Sequence, residues 1–350
     1  MTIIYFILIL GITVMVHEFG HFLFAKKAGV HVYEFSIGMG PRLFKWNRKN
    51  DETEYSIRLF PIGGYVQMAG ESNEDEDKLP KEKLMQSKTW WQRFLIIIAG
   101  IMFNFIMAII ILFFIALFNG SPKPNAYIGS LEENYPAYSS GFRIGDEIVK
   151  VNGEKVSSSD ILLLKLEVNK GKEVTFTLKH ENGTLEDIKI KPKLVEVDGV
   201  KGYKYGFGLT NEVETGLISA IKYAFVKTFN LIHQMVLIIW YLCTGVLSLN
   251  TLSGPIGIFT VVGETAKTGF VNLIFLLAFI SINVGFMNLL PIPAFDGGRL
   301  LFLIIEKIKG SPINSKVENI IHSIGFILLM LLMIVITYND IIRTFIKWKR

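Results

Sequence analysis

His17, Glu18 and His21 form an H-E-x-x-H pattern inside an apolar run. On a helix, residues four apart fall about 40° apart around the axis, so the two imidazoles point the same way and can hold one Zn²⁺. Glu18 is then placed beside the metal, where a carboxylate can take a proton from the attacking water. The chance occurrence of this pattern in such a chain is on the order of one per cent. The residues before it, Ile3 to Val16, carry no charge. Ionisable groups at membrane depth are costly and mark functional sites.

A hydrolytic zinc site needs a third protein ligand and an open position. The candidate is Asp296, in Asn288-Leu289-Leu290-Pro291-Ile292-Pro293-Ala294-Phe295-Asp296-Gly297-Gly298. The prolines break the preceding helix and the glycines let the backbone approach closely. Asp296 follows an apolar run at its cytoplasmic end. The H-E-x-x-H pair lies about 20 Å from the start of its own helix, at a matching depth. A second reading stays open, in which Asp296 caps a helix beginning near Gly297. His31, His180, His233 and His322 have no ligand spacing and read as surface or packing residues.

Membrane helices must position these groups. The chain has 350 residues, of which 51% are hydrophobic, and a mean hydropathy of +0.41. That balance points to a polytopic membrane protein rather than a soluble enzyme. The net charge of +5 is not gathered into a basic stripe interleaved with aromatics, so nucleic acid is excluded as the partner. The single cysteine, Cys243, excludes an internal disulfide and a Cys-based metal site. The N-terminus lacks the basic start and small-residue cleavage site of a signal peptide, so the first run is expected to stay as a span.

Four spans are expected: Thr2 to Ala25, Arg93 to Phe118, Val271 to Leu290 and Ile320 to Tyr338. The lysine- and arginine-rich stretch from Lys26 to Arg93 is cytoplasmic by the positive-inside rule, which puts the N-terminus outside. Within it, Glu54 to Phe60 alternates like a strand, Pro61-Ile62-Gly63-Gly64 turns, and Tyr65 to Met68 returns as a second strand. Glu71 to Glu82 reads as a solvated acidic loop. Residues 216–247 are apolar but interrupted by Lys222, Lys227, Asn230, His233 and Gln234, which favours an amphipathic membrane-associated helix, with a full span as competitor. Four spans leave the C-terminus outside, against the basic tail Arg343, Lys347, Lys349 and Arg350.

Between the second span and this helix, Gly141-Phe142-Arg143-Ile144-Gly145-Asp146-Glu147-Ile148-Val149-Lys150-Val151-Asn152-Gly153 resembles the signature of a PDZ domain, with Asp160 to Lys170 as its helix. The expected divisions are 1–120 as an N-terminal membrane part, 121–200 as the PDZ domain, 201–260 as the amphipathic linker and 261–350 as a C-terminal membrane part. The fold class is a polytopic α-helical membrane protein of about four spans, with a membrane-associated β-hairpin and one inserted extracytoplasmic PDZ domain.

HEFGH in the first span, a PDZ domain after the second and a late N-x-x-P-x-P-x-x-D-G motif together resemble the site-2 protease family of intramembrane zinc metalloproteases, in its bacterial regulator-of-sigma-E protease branch. Phe35 to Pro41, Arg58 to Val66 and Ser253-Gly254-Pro255-Ile256-Gly257 extend the likeness over nearly the whole chain. The resemblance implies Zn²⁺ as cofactor, with His17, His21 and Asp296 as ligands and Glu18 as general base. It also implies substrate binding by Asn288 and by the hairpin residues Gly63, Gly64 and Tyr65, which would pair with an unwound substrate strand. Two departures stand out: the proline common after the second-span glycine is missing at Ile101, and there is one PDZ domain where some members have two.

The expected function is cleavage of transmembrane segments of single-span proteins, of the anti-sigma-factor type or signal-peptide remnants, in a bacterial cytoplasmic membrane. The PDZ domain could contact substrate or regulator peptides. Two competitors remain at this stage: a non-catalytic PDZ scaffold, which has no need of metal ligands, and a transporter, which lacks the expected inverted repeats.

Overall fold

The computed structural model describes residues 1–70, 79–197, 200–311 and 313–348, so most of the acidic run and the last two basic residues lie outside the described residues. Helix α1 (Thr2–Lys27) leads into strands β1 (Val32–Asn47) and β2 (Glu54–Met68) and then helix α2 (Trp90–Asn119). A β-rich stretch follows: β3 (Ser121–Pro122), β4 (Ile128–Leu131), the short helix α3 (Pro136–Ser139), β5 (Glu147–Val151), β6 (Glu154–Lys155), α4 (Ser159–Val168), β7 (Val174–Lys179), β8 (Leu185–Ile190), β9 (Lys193–Val197), β10 (Val200–Lys204), β11 (Phe207–Leu209) and β12 (Val213–Glu214). Helices α5 (Leu217–Cys243), α6 (Pro255–Thr268), α7 (Phe270–Leu289), α8 (Asp296–Lys309) and α9 (Ser315–Trp348) complete the order.

Among the described residues, five helices are long and apolar enough to cross a membrane: α1, α2, α5, α7 and most of α9. The sequence reading expected four. The additional one is α5, whose mean hydropathy of 1.3 is the lowest of the five. Length and composition alone admit it; its polar interruptions are what separate it from the others.

The chain divides into two units, residues 1–111 with 252–344, and residues 112–251 with 345–350. In the first, α1 is held by helices running both ways. Ile9 shares an apolar cluster with Leu273, Leu276 and Ile280 of α7, and His17, further along α1, meets Asp296 just beyond the end of α7. Matching order on both helices means that α1 and α7 run in the same direction. Against α2 the order is reversed: His21 meets Ile96, and His17 meets Asn104. The Ser253-Gly254-Pro255-Ile256-Gly257 motif opens α6, where the N–H groups of Gly254 and Gly257 both donate to the buried Asp340 carboxylate of α9 at 2.8 Å. A carboxylate is well placed there, because the first N–H groups of a helix have no partner inside it.

The β-hairpin differs from expectation. Pro61 to Gly64 does not join two strands that pair with each other; it is a bend within β2, where Gly63 adopts a φ of +86°. Both arms of β2 pair instead with β1. Phe35 lies opposite Val66 and also Tyr55, and Ile37 opposite Gly64 and also Ile57, while Trp46 and Asn47 close a hairpin with Tyr55 and Glu54. β2 lies along α1, so that a Cβ on Gly11 would sit 2.9 Å from the Pro61 carbonyl oxygen and one on Gly64 3.9 Å from Glu18 Cγ.

The second unit contains an antiparallel sheet in the order β6-β5-β7-β8. Asn152 and Gly153, both with positive φ, form the two-residue turn between β5 and β6, as Asn-Gly pairs do. The core gathers Phe142, Ile148, Phe176 and Leu178 with Tyr205. Phe207 packs against it and β11 pairs with β4, so this fold continues past residue 200, where the sequence reading ended the domain. α5 belongs to this unit: Lys227 Nζ reaches Asp160 at 2.7 Å and Tyr241 donates to Glu154 at 3.2 Å. Its Ala224, Leu231 and Met235 are buried, while Ile218, Phe225, Phe229 and Trp240 are exposed.

Candidate metal centre

α1 presents His17 and His21 on one side, four residues apart and both buried. Glycine makes the position possible. A Cβ on Gly20 would lie 2.6 Å from the Ala99 carbonyl oxygen, and one on Gly100 would overlap His21 Nε2. α1 and α2 therefore touch backbone to backbone, and the His21 imidazole lies over the bare backbone at Gly100. His21 Nδ1 donates to the Ile96 carbonyl at 2.8 Å, which turns Nε2 toward the centre.

Asp296 arrives by a different route. After α7 the chain turns through Pro291 and Pro293, with Ala294 in the left-handed region at φ +82°. A Cβ on Gly298 would sit 2.6 Å from the Ile292 carbonyl oxygen, so the glycines let α8 fold tightly back on the turn. The N–H of Ala294 donates to His322 Nδ1 at 2.9 Å, a bracing role that spacing alone does not reveal. The capping alternative for Asp296 does not hold. The N-cap of α8 is Phe295, and the Asp296 carboxylate faces the histidines instead.

The three side chains converge. His17 Nε2 is 2.9 Å and His21 Nε2 3.1 Å from Asp296 Oδ2, and the two imidazole nitrogens are 3.2 Å apart. Tetrahedral zinc with bonds near 2.0–2.1 Å separates its ligand atoms by about 3.3 Å. The N,N,O donor set, its spacing and its side-chain exposures of 8%, 9% and 17% suit such an ion with one position left open. Among the described residues this is the only such group of three.

Glu18 is half-buried beside this group and is not part of it; its side chain borders Gly64 of β2. Of the expected substrate-binding residues, Gly64 is thus brought next to Glu18. Gly63 occupies the bend in β2. Tyr65 follows in the same arm, and its hydroxyl donates to Glu34 Oε2 at 2.6 Å and accepts from Arg58. Asn288 donates to the Val284 carbonyl of its own helix at 3.1 Å. The structure does not bring it into hydrogen-bonding contact with the three ligands. The sequence reading missed Gly100 and Asn104. The available signal was Asn104 itself, a polar residue in the middle of an apolar helix.

The model of peptidase family M50 matches residues 5–332. The chain belongs to peptidase family M50. Relatives agree over their full lengths: the regulator of sigma-W protease RasP of Bacillus subtilis is 36% identical and covers 99% of each chain, and zinc metalloprotease RasP of Bacillus licheniformis is also 36% identical, covering 99% of this chain and 100% of its own. A solved PDZ domain of an SdrC-like protein from Listeria monocytogenes is 24% identical over 25% of this chain and 90% of its own, with a TM-score of 0.22. That last likeness is local and decides nothing here. As an M50 member this protein is an intramembrane metalloprotease of the site-2 type, acting in regulated proteolysis. The scaffold and transporter readings fall with that assignment.

Proposed function

We propose that His17, His21 and Asp296 hold Zn²⁺ and that Glu18 is the general base of peptide-bond hydrolysis. The observation that carries this reading is the convergence of three ligand atoms, from residues up to 279 apart in sequence, within 2.9–3.2 Å of one another. Zinc at this place lowers the pKa of a water and polarises the scissile carbonyl. The Glu18 carboxylate accepts the water proton and passes it to the departing amide nitrogen.

The substrate is an extended segment freed from a membrane helix, whose bare backbone groups need partners. In β2, Gly64, Tyr65 and Val66 pair with β1 on one side, and no strand pairs with the other side among the described residues. That edge, beside Glu18, is a place for a substrate strand to add. Gly63 and Gly64 keep it uncluttered, Tyr65 is braced by Glu34 and Arg58, and Asn288 is assigned to the substrate backbone by family resemblance alone. Single-span proteins of the anti-sigma-factor type and signal-peptide remnants are the substrate class; the name of the Bacillus subtilis relative supports the first.

Four helices cross the cytoplasmic membrane in this reading. Parallel α1 and α7 begin on the same face, so the chain from the end of α1 to the start of α7 crosses a net odd number of times. With α2 returning the chain to the outer face, α5 lies along that face rather than crossing it, and residues 121–200 form an extracytoplasmic PDZ domain. The decisive experiment uses Glu18→Gln in detergent with a single-span model substrate. The variant keeps stoichiometric zinc while cleavage falls roughly 10²–10⁴-fold. Cleavage at the wild-type rate would sink the assignment.

A further inference from the structure

Asn104 is fully buried in the middle of α2, and its amide lies 3.3 Å from His17 Nδ1. Its Oδ1 is buried without a hydrogen-bond partner among the described residues. Its backbone carbonyl accepts from Ser281 of α7 at 2.8 Å, so the residue is tied to α7 on one side and faces α1 on the other. An unpaired amide oxygen in a buried position calls for an explanation.

A neutral imidazole carries one N–H and one lone pair, and the nitrogen that faces a cation must offer the lone pair. Nε2 of His17 faces Asp296 and His21. A ligating His17 therefore carries its proton on Nδ1 and needs an acceptor there. His21 already has one, since the Ile96 carbonyl can only accept. For His17 the group within reach is the Asn104 amide, and of its two ends only the oxygen accepts. A half-turn of the amide exchanges its ends within nearly the same volume. The placed orientation leaves the oxygen unpaired, and the need of His17 favours the exchanged one.

We propose that Asn104 is a positioning residue for the metal centre: its Oδ1 accepts the Nδ1–H of His17 and so aims Nε2 at the ion. The inference rests on the zinc-site reading above. α2 then supports both histidines from outside, one through a backbone carbonyl and the other through a side chain that can be tested.

The experiment uses the full chain in detergent, loaded with zinc and titrated with a competing chelator, and in parallel the visible absorption of the cobalt-substituted protein. Asn104→Leu, of similar volume without an acceptor, weakens zinc binding by about 10–100-fold and changes the cobalt spectrum. Asn104→Asp restores the acceptor and holds zinc at least as tightly as wild type. A role in packing alone would favour Leu over a buried carboxylate, so rescue by Asp separates the two. Wild-type affinity and spectrum in Asn104→Leu overturn the proposal. If that variant does not fold, as judged by gel filtration, Asn104→Asp decides alone: retention of zinc supports the role and loss overturns it. A wild-type chain that binds no stoichiometric zinc fails earlier, at the zinc-site reading itself.

Discussion

A single methyl group at Gly100 decides whether His21 can keep its place in the proposed metal centre. A side chain there would overlap His21 Nε2, so His21 must leave its place or α2 must back away. Overpacking of this kind costs about 1–3 kcal/mol. If that strain falls on the ligand, Gly100→Ala weakens zinc binding by about 5–150-fold, at 1.4 kcal/mol for each factor of ten. Chelator competition measures it, with Gly202→Ala as control, since nothing lies within 4 Å of a Cβ at Gly202. Equal affinities in the two variants would refute the steric argument. The convergence of His17, His21 and Asp296 was legible in the sequence, because their types and settings are those of metal-ligand candidates. Gly100 and Asn104 were not, because their importance depends on which face of α2 meets α1, and periodicity cannot choose a face on a helix apolar all round.

The sheet that borders Glu18 is fastened by a buried charge. Glu34 is only 5% exposed, and it accepts from Arg58, Tyr65 and Ser56, binding β1 to both arms of β2. Burial pushes the Glu34 carboxyl up, but the hydrogen bonds from Ser56, Tyr65 and Arg58 outweigh it and hold the carboxyl below its ordinary 4.5. A depressed carboxylate contributes stability above its unfolded pKa and loses it as pH falls through the folded one. Wild-type sheet protection is therefore constant above about pH 5 and declines in acid. Glu34→Gln lowers protection by about 1.5–3 kcal/mol at neutral pH, because the hydrogen bonds from Arg58 and Tyr65 lose their charged acceptor, and flattens the acid decline. Hydrogen exchange of residues 32–47 across this range checks both; identical profiles would count against the network. The alternation of Glu54 to Phe60 revealed strand character but not its partner. β1 carries Gly38, Gly40 and Pro41, which weaken a local strand signal, and pairing across a loop is information that no local window holds.

For the molecule in its membrane, the path of α5 fixes the side on which the chain returns to α7. Cys243, the single cysteine, ends α5 and is exposed, which makes it a native reporter. If the chain returns to α7 on the outer face, a membrane-impermeant maleimide labels Cys243 in intact spheroplasts. Labelling that requires permeabilisation would mean that α5 crosses, and the four-span arrangement would fall. Four of the five long apolar helices were readable as spans from hydropathy, whereas α6 was not readable as a helix, since its packing depends on Asp340, more than eighty residues onward. Sequence distance also shapes how this protease comes into being. His17 and Asp296 are 279 residues apart. At about 5–20 residues per second, the ribosome takes roughly 15–60 s to bridge them. Throughout that interval the first helix is already made while Asp296 does not yet exist. A newborn chain passing through the insertion machinery, surrounded by other nascent membrane segments, is thus harmless to its neighbours until its own synthesis is nearly done.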